Sequence, residues 1–422
     1  MALQGRSIVI VGMCRSGTSS VAGALAKLGV YFGKPEELYA GDEHNQGGYY
    51  EHRVLNAAHR RFQLSLNLTA LDVDPMPTDW LERPMTEANI KGTFNSLSKT
   101  FSGRDLWGWK DPQASTLLPF VREVFSRAEL EPVVVLCVRN PLDVARSQFK
   151  RQGTPEPQTL GAWLLSTLAA LRDSKGLRRT VVIYEQFLQD PTTCFNRIAD
   201  QLGIVASADD WQGVADWVKP HLSHGESTAS DLVAHTSLIR RTYELCLAAA
   251  NEPDSLNSGG LDESIESLWS EWLEWHDMLA RPSVPEASFG ISWERAGQRL
   301  VNEATYRPTR SWQVLRGECK ALPGSRVSVL LFPLPAVFWI RKAVWHANGE
   351  TIPAKLSQGS HGQIEELDKM HRVWVFHGYE QLAVDAPIAK GPFELEFEVL
   401  IETNNLIAGM TFQELSRQIR EA

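Results

Sequence analysis

Three runs of consecutive apolar and β-branched residues, Ser7 to Val11, Val133 to Val138 and Thr180 to Tyr184, stand out in the first half of the chain. A strand without polar alternation has no solvated face, so each is expected in a parallel sheet covered on both sides. Each is followed by a segment with helical spacing. VAGALAKLGV places Val21, Leu25 and Leu28 on one face, LDVARSQFKR follows the second run, and FLQDPTTCFNRIADQLGI follows the third. Strand, tight loop and helix repeated in this way predict an α/β domain with helices on both faces of a parallel sheet.

Residues 31 to 130 are too long for one simple crossover and are expected to carry helices and acceptor-binding loops. Residues 155 to 176 and 206 to 250 read mostly as helix. LDESIESLWSEWLEWHDML puts Ile265, Leu268, Trp269, Trp272, Trp275 and Leu279 on a broad stripe, a pattern of packing rather than of a ligand box. After about residue 308 the period changes. SRVSVLLF, VFWIRKAVWH, HRVWVFHGY and PFELEFEVLIET are short strands separated by Pro, Gly and Asn turns, and in the last Phe393, Leu395, Phe397 and Val399 alternate with Glu394, Glu396 and Glu398. One face should be buried and the other wet. These patterns divide the chain into an α/β domain (1–250), a helical extension or linker (251–308) and a smaller antiparallel β-sandwich or barrel-like domain (309–422) with a terminal amphipathic helix from about Thr411.

Length agrees with more than one core, since 422 residues exceed the size at which single cores stop growing. A net charge of -9 gives no global attraction to polyanions, so nucleic acid is not the expected partner. Cys14, Cys137, Cys194, Cys246 and Cys319 are scattered singly, without metal-site spacing, which predicts free thiols, a reducing compartment and no zinc. The apolar run near the N-terminus is too short for a signal core or a membrane span. A cytoplasmic protein without an integral membrane segment is the expectation.

Gly12-Met13-Cys14-Arg15-Ser16-Gly17-Thr18-Ser19 has the outer spacing of a Walker A loop, but Thr18 stands where a P-loop NTPase needs Lys. The loop still offers two glycines, successive N–H donors at a helix start and the Arg15 cation, a set suited to a dianion. The bland alternative is a glycine-rich turn whose Ser and Thr cap a helix. Two further segments follow buried strands: Val138 to Ser147, beginning Val-Arg-Asn-Pro, and Tyr184-Glu185-Gln186-Phe187-Leu188-Gln189-Asp190-Pro191.

Together these motifs resemble the sulfotransferases that use 3'-phosphoadenylyl sulfate (PAPS), in a P-loop-like fold, and most resemble the carbohydrate-type and bacterial branch with its Arg-Ser-Gly-Thr loop. The resemblance covers roughly residues 6 to 225 and leaves the last third unassigned. It implies that Arg15, Ser16, Gly17, Thr18 and Ser19 surround the 5'-phosphosulfate and that Arg139 and Ser147 receive the 3'-phosphate. It also implies that Tyr184 lies near the nucleotide, although Gln186 replaces the family's usual Asp. The product would be 3'-phosphoadenosine 5'-phosphate (PAP), the acceptor a hydroxylated small molecule or glycan, and no metal would be required.

Transfer to a hydroxyl needs a base and a cation near the transferred group. Asn45-Gln46-Gly47-Gly48-Tyr49-Tyr50-Glu51-His52 resembles an element of related bacterial proteins, making Glu51 the leading base, with pairing to Arg53 as its structural alternative. His52, His44, Glu36 and Glu37 stay open. Trp107-Gly108-Trp109-Lys110-Asp111-Pro112 matches a Lys-Asp-Pro element, which makes Lys110 the cation and Asp111 an organiser of its loop. His221 and His224 match no motif. The competing readings are a nucleotide-dependent kinase, against which Thr18 counts, and a non-enzymatic glycan-binding or scaffold protein, suggested by Trp339, Trp345 and Trp374.

Overall fold

The computed structural model describes residues 3–42, 45, 47–66, 68, 73–218, 227, 231–232, 237–279, 287–295, 298–306, 312–332, 336–358, 363–367, 370–375, 382–388 and 392–402. His44, His221, His224 and the segment from Thr411 lie outside them. The chain divides into two compact units, Met1–Leu64 with Leu68–Met76 and Ala88–Ala280, and Ser65–Asn67 with Pro77–Glu87 and Arg281–Ala422.

The first unit is built on a four-stranded parallel sheet of β1 (Arg6–Val11), β2 (Leu106–Lys110), β3 (Val133–Val138) and β4 (Arg179–Ile183), in the order β2-β1-β3-β4. Every residue of β3 is buried, as its unbroken aliphatic sequence requires. The sheet has one strand more than the three aliphatic runs suggest. β2 has the sequence LWGWK, in which Trp107 and Trp109 supply the buried surface and Gly108 leaves room for Phe32, whose ring would lie 2.5 Å from a Cβ there.

Helices cover both faces. On one, α1 (Thr18–Lys27), α7 (Tyr184–Gln189), α8 (Pro191–Leu202) and α9 (Ala208–Trp217) pack Val21, Leu25, Phe187, Phe195 and Val214 against Ile8, Ile10, Val133, Val135 and Val182. On the other, α6 (Glu156–Asp173) lies against β3 and α10 (Ser237–Asn251) against β4, with α12 (Asp262–Leu279) behind α6. Ile265, Leu268, Trp269 and Trp272 of α12 are buried, and the Arg172 guanidinium stacks 3.6 Å from the Trp269 ring, which bears out the packing reading for these four, whereas Trp275 is half exposed and the Leu279 side chain lies outside the described residues. The unit also contains α2 (Arg53–Ser65), α3 (Thr86–Phe101), α4 (Leu118–Ser126), α5 (Pro141–Gln152) and α11 (Pro253–Asn257), α3 beginning in the second unit's segment. All five cysteines are free thiols. Among the described residues no helix is long and apolar enough to cross a membrane, and no group of three or more His, Cys, Asp and Glu side chains could hold a metal ion.

The second unit holds two antiparallel sheets with ladders β12-β13-β9-β15-β7 and β11-β14-β8-β5-β6, β10 pairing with β9. In chain order these are Ala287–Arg295, Gln298–Tyr306, Gln313–Cys319, Arg326–Phe332, Ala336–Ala347, Glu350–Pro353, Leu356–Gln358, Gln363–Leu367, Met370–Val375, Leu382–Asp385 and Phe393–Glu402. Strand pairing thus begins at Ala287, upstream of residue 309. Ile291, Val329 and Val384 of one sheet join Phe338, Leu395 and Phe397 of the other in one apolar cluster. The glutamate face of β15 departs from the simple alternation. Strands flank β15 on both sides, and Glu396 is buried under Arg316 (2.7 Å), Lys342 (2.9 Å) and His346 (3.2 Å). Trp339 and Trp345 are buried, the latter donating its indole N–H to the Asp385 carbonyl at 3.0 Å, so neither offers a face to a sugar. The Trp374 side chain lies outside the described residues.

Candidate functional site

The order β2-β1-β3-β4 carries four segments past the C-terminal ends of the strands, and the loop after β1 lies in the middle of them. That edge is where open α/β sheets bind ligands. Two glycines let the loop pass its neighbours. At Gly12 (φ +129°) a Cβ would lie 2.2 Å from the Cys137 carbonyl oxygen, and at Gly17 (φ +84°) one would lie 2.1 Å from the Tyr184 ring. Gly12 N–H donates to Ser115 Oγ at 2.8 Å and Ser16 N–H to the Met13 carbonyl at 3.1 Å, which fixes the turn. Arg15 is left-handed at φ 75°, a conformation costly for a residue with a Cβ. Among the described residues no side chain caps α1, and the buried Ser16 hydroxyl has no partner. Uncapped N–H groups, a positive helix terminus and an idle buried hydroxyl form a cradle for an anion.

Guanidinium groups surround the cradle. Arg15 Nε donates to Ser147 Oγ at 2.9 Å, and Arg139 Nη1 donates to the Arg15 carbonyl at 3.4 Å. Arg139 also stands over the Tyr184 ring, 5.1 Å from its centroid, while Trp163 Nε1 holds the Arg139 carbonyl at 3.1 Å. The Arg139 Nε is buried and has no partner among the described residues. Arg15, Arg139, Ser147 and Tyr184 are therefore brought together, with Ser147 joined to Arg139 through Arg15. Burial, then the neighbouring Arg151 and Arg139 charges, hold the Arg15 pKa below its usual value, a strain that a bound anion would relieve.

On the β2 side, Lys110 ends its strand almost fully buried. Its Nζ is ion-paired with Glu51 and donates to Ser19 Oγ at 3.2 Å. Asn56 Nδ2 donates to the other Glu51 oxygen at 2.9 Å. Burial raises the Glu51 pKa above its ordinary value despite the attraction of Lys110. Behind the pair, Asp111 N–H donates to the Ile10 carbonyl at 3.2 Å, and its carboxylate accepts Gln113 N–H at 2.9 Å and meets His59 Nδ1 at 2.9 Å. The segment carrying Glu51 is held by Trp217, edge-on to Tyr50 at 5.9 Å and donating to the Ser20 carbonyl at 2.9 Å.

Of the other base candidates, His44 lies outside the described residues, and His52, Glu37 and Glu36 are not brought to this point. His52 Nε2 is 3.5 Å from Thr100 Oγ1 and 3.8 Å from Glu37, and burial lowers its pKa. Glu37 accepts the Lys34 N–H at 2.9 Å, and Glu36 is exposed. Four neighbours escape the sequence reading: Asn56, His59, Tyr49 and Arg151. Arg151 donates to Tyr49 Oη at 3.0 Å, and Tyr49 donates to Asp42 at 2.6 Å. Only Arg151 leaves a signal, lying one helical turn from Ser147 on the same face of α5.

Residues 7–208 match the profile of the Sulfotransferase family. Solved structures similar to the chain include the sulfotransferase domain of the Synechococcus PCC 7002 olefin synthase, at 18% identity over 56% of this chain and 85% of that one, with a TM-score of 0.32. They also include sulfotransferase STF9 from Mycobacterium avium (15% identity, 61% and 76% coverage, TM-score 0.33). A third is a sulfotransferase from Alicyclobacillus acidocaldarius (14% identity, 55% and 91% coverage, TM-score 0.31). No curated protein shows a significant match. The residues matched to that family, 7–208, span the parallel-sheet unit from β1 through α8.

Proposed function

We propose that the first unit transfers a sulfuryl group from PAPS to a hydroxyl acceptor, a carbohydrate, glycoconjugate or small alcohol, releasing PAP. The observation that carries this reading is the pairing of an uncapped helix start with two buried, unpartnered donors, Ser16 Oγ and Arg139 Nε, beside a buried Lys–Glu pair. The donor supplies an activated sulfuryl group. Ser16, Gly17, Thr18 and Ser19 with Arg15 would hold its 5'-phosphosulfate, Arg139 and Ser147 its 3'-phosphate, and Tyr184 would wall the nucleotide.

Glu51 would take the acceptor-hydroxyl proton while the acceptor oxygen bonds to sulfur and the bond from sulfur to the bridging phosphate oxygen breaks, leaving the electron pair on PAP. Its raised pKa makes it a stronger base than an ordinary carboxylate. Lys110, released from Glu51 as the carboxylate is protonated, faces the developing charge from its place beside Ser19. Thr18 leaves the loop without the NTPase lysine, and the ammonium comes instead from β2.

Calorimetry with PAP and ADP tests the donor assignment. PAP should bind more tightly, and Arg139→Ala should lose about 2–5 kcal/mol of PAP binding, as expected for truncating one partner of a buried charge pair. Equal affinity for the two nucleotides refutes it. Transfer of labelled sulfate from PAPS to an alcohol, slowed by about 10²- to 10⁴-fold in Glu51→Gln with PAP binding intact, tests the reaction.

A further inference from the structure

Glu51 lies in an irregular segment whose two ends are held in different ways. Beyond it the backbone is tied, with the Glu51 carbonyl accepting the Tyr39 N–H at 2.9 Å and α2 beginning two residues later. Before it, Tyr50 is left-handed at φ 57°, a conformation costly for a residue with a Cβ that persists only where the surroundings impose it. Packing supplies part of that hold, since the Tyr50 ring lies edge-on to Phe32 and Trp217 at 5.8 and 5.9 Å. Polar contacts of Tyr49 supply another part. Its Oη accepts from Arg151 Nη2 at 3.0 Å and donates to Asp42 at 2.6 Å, and Arg151 itself lies 3.7 Å from Asp42. The Tyr49 carbonyl accepts from Ser19 Oγ at 3.4 Å, the same hydroxyl to which Lys110 donates at 3.2 Å.

Helix α5 joins these contacts to the phosphate loop. Ser147 receives Arg15 Nε at 2.9 Å, and Arg151 lies four residues on, one helical turn along the same face. One face of α5 therefore grips the loop at one turn and the segment carrying the candidate base at the next. Burial, then the hydrogen bond to Asp42, raises the Tyr49 pKa, which keeps the phenol protonated and donating.

We propose that Arg151 is a positioning residue, which acts through Tyr49 and Asp42 to hold the strained Tyr50 turn and so keeps Glu51 against Lys110, in register with the phosphate loop. The proposal rests on the sulfuryl-transfer reading for its effect on rate. A purely electrostatic role for Arg151 would leave a different trace. Glu51 is faced by Lys110 and Asp111 at the end of β2, by Asn56 of α2, by Arg151 of α5 and by the Cys14 thiol of the phosphate loop. Burial is the largest influence on its carboxyl and raises the pKa, whereas the Lys110 and Arg151 charges lower it. Loosening the segment admits water and lowers the Glu51 pKa, while removing the Arg151 charge alone raises it. Tyr49→Phe separates the two, because it breaks both phenol hydrogen bonds and leaves the Arg151 charge in place.

The test uses the full chain labelled with ¹³C at the glutamate carboxyls and titrated by NMR without nucleotide, the Glu51 signal being assigned by its loss in Glu51→Gln. In Tyr49→Phe the Glu51 midpoint should fall toward the ordinary carboxylate range. In single-turnover transfer from saturating PAPS to methyl glucoside or 1-butanol, Tyr49→Phe and Arg151→Met should each slow the reaction by about ten-fold, the scale of one net hydrogen bond. The double variant should be no slower than the slower single within about two-fold, because both substitutions break one shared contact. Arg151→Lys, which keeps a donor and the charge, should recover part of the rate lost in Arg151→Met. PAP affinity of Tyr49→Phe, measured by calorimetry, should stay within about two-fold of the wild type, so that the loss falls on turnover rather than on donor binding. A Glu51 midpoint that is unchanged or raised in Tyr49→Phe, or losses that multiply in the double variant, overturns the proposal. If the wild type transfers nothing from PAPS the donor reading fails, and the Glu51 titration still decides the positioning role.

Discussion

Replacing Gly17 by Ala perturbs the anion cradle in two separable ways. The residue sits at φ +84°, where an alanine costs about 1–2 kcal/mol relative to its relaxed conformation. Its new methyl would also lie 2.1 Å from Tyr184 Cδ2, well inside contact distance. Relieving that overlap requires the ring or the loop to move, at a cost of about 1–3 kcal/mol for an overpacked site. Together the terms predict a destabilisation of about 2–5 kcal/mol, readable in urea unfolding of the full chain. The second term depends on the ring and the first does not. In a cycle with Tyr184→Ala, the double variant should therefore be more stable than the sum of the singles by about 1–3 kcal/mol. PAP affinity should follow the same pattern only in part, because Tyr184→Ala also removes the surface beneath Arg139. Strict additivity of the two substitutions in stability would refute the close seating of the ring on the loop.

Glu51→Gln should slow single-turnover transfer by about 10²- to 10⁴-fold with PAP affinity nearly unchanged, and should remove the acid limb of the pH–rate profile. Because burial raises the Glu51 pKa, that limb belongs above the ordinary carboxylate value of 4.5, and activity rises as pH increases through it. Arg179→Met should cost about 3–5 kcal/mol in chemical unfolding. The buried Arg179 guanidinium serves the Leu171 and Leu256 carbonyls and pairs with Asp262 at 2.7 Å, tying β4 to α6, α11 and α12, and its loss strands those partners. In the second unit, the bonds from Lys342, then Arg316 and His346, hold the Glu396 carboxyl at about 2. A pKa lower in the folded than in the unfolded chain means that this stabilisation is complete above pH about 4.5 and disappears as pH falls toward about 2. Glu396→Gln should flatten the unfolding stability across that window, measured by denaturant titrations at stepped pH.

The legible parts of the fold are those where one residue class dominates a whole element. β1, β3 and β4 show as aliphatic runs because a strand covered by helices on both faces has no polar position. β2 does not show, because two tryptophans, a glycine and a buried lysine make a strand only in the company of Phe101, Phe125 and Phe32. Glu396 reads as a wet position, since alternation cannot reveal that neighbouring strands bring two cations, Arg316 and Lys342, and the His346 ring over it. The loop and Arg139 were accessible from motif and spacing. The partnership of Glu51 with Lys110 was not, as the two are 59 residues apart, although the motif already ranked Glu51 ahead of its neighbour His52. Adjacent residues in an extended segment point to opposite sides, and which one faces the loop is decided by Trp217 and Asn56 rather than by local sequence.

The strand order itself divides the work of the site. With β1 between β2 and β3, the phosphate loop has Lys110 on one flank and Arg139 on the other, while Tyr184 enters from β4 beyond. The β3 and β4 flank supplies guanidinium and aromatic groups suited to a nucleotide phosphate, and the β2 flank supplies a carboxylate with its compensating ammonium. Changes on the two flanks should therefore fall on different quantities. On the proposed reaction Arg139 and Ser147 would act on donor affinity, because the anion they would face carries the same charge before and after transfer. On the same proposal Glu51 would act on the rate, because its proton would be gained only as the reaction proceeds. Lys110 stands where the flanks meet, bonded at once to Glu51 and to Ser19 in the first turn of α1. Lys110→Ala should weaken PAP binding and slow transfer together, whereas the joint variant Lys110→Met with Glu51→Gln removes both buried charges and should recover stability without recovering turnover.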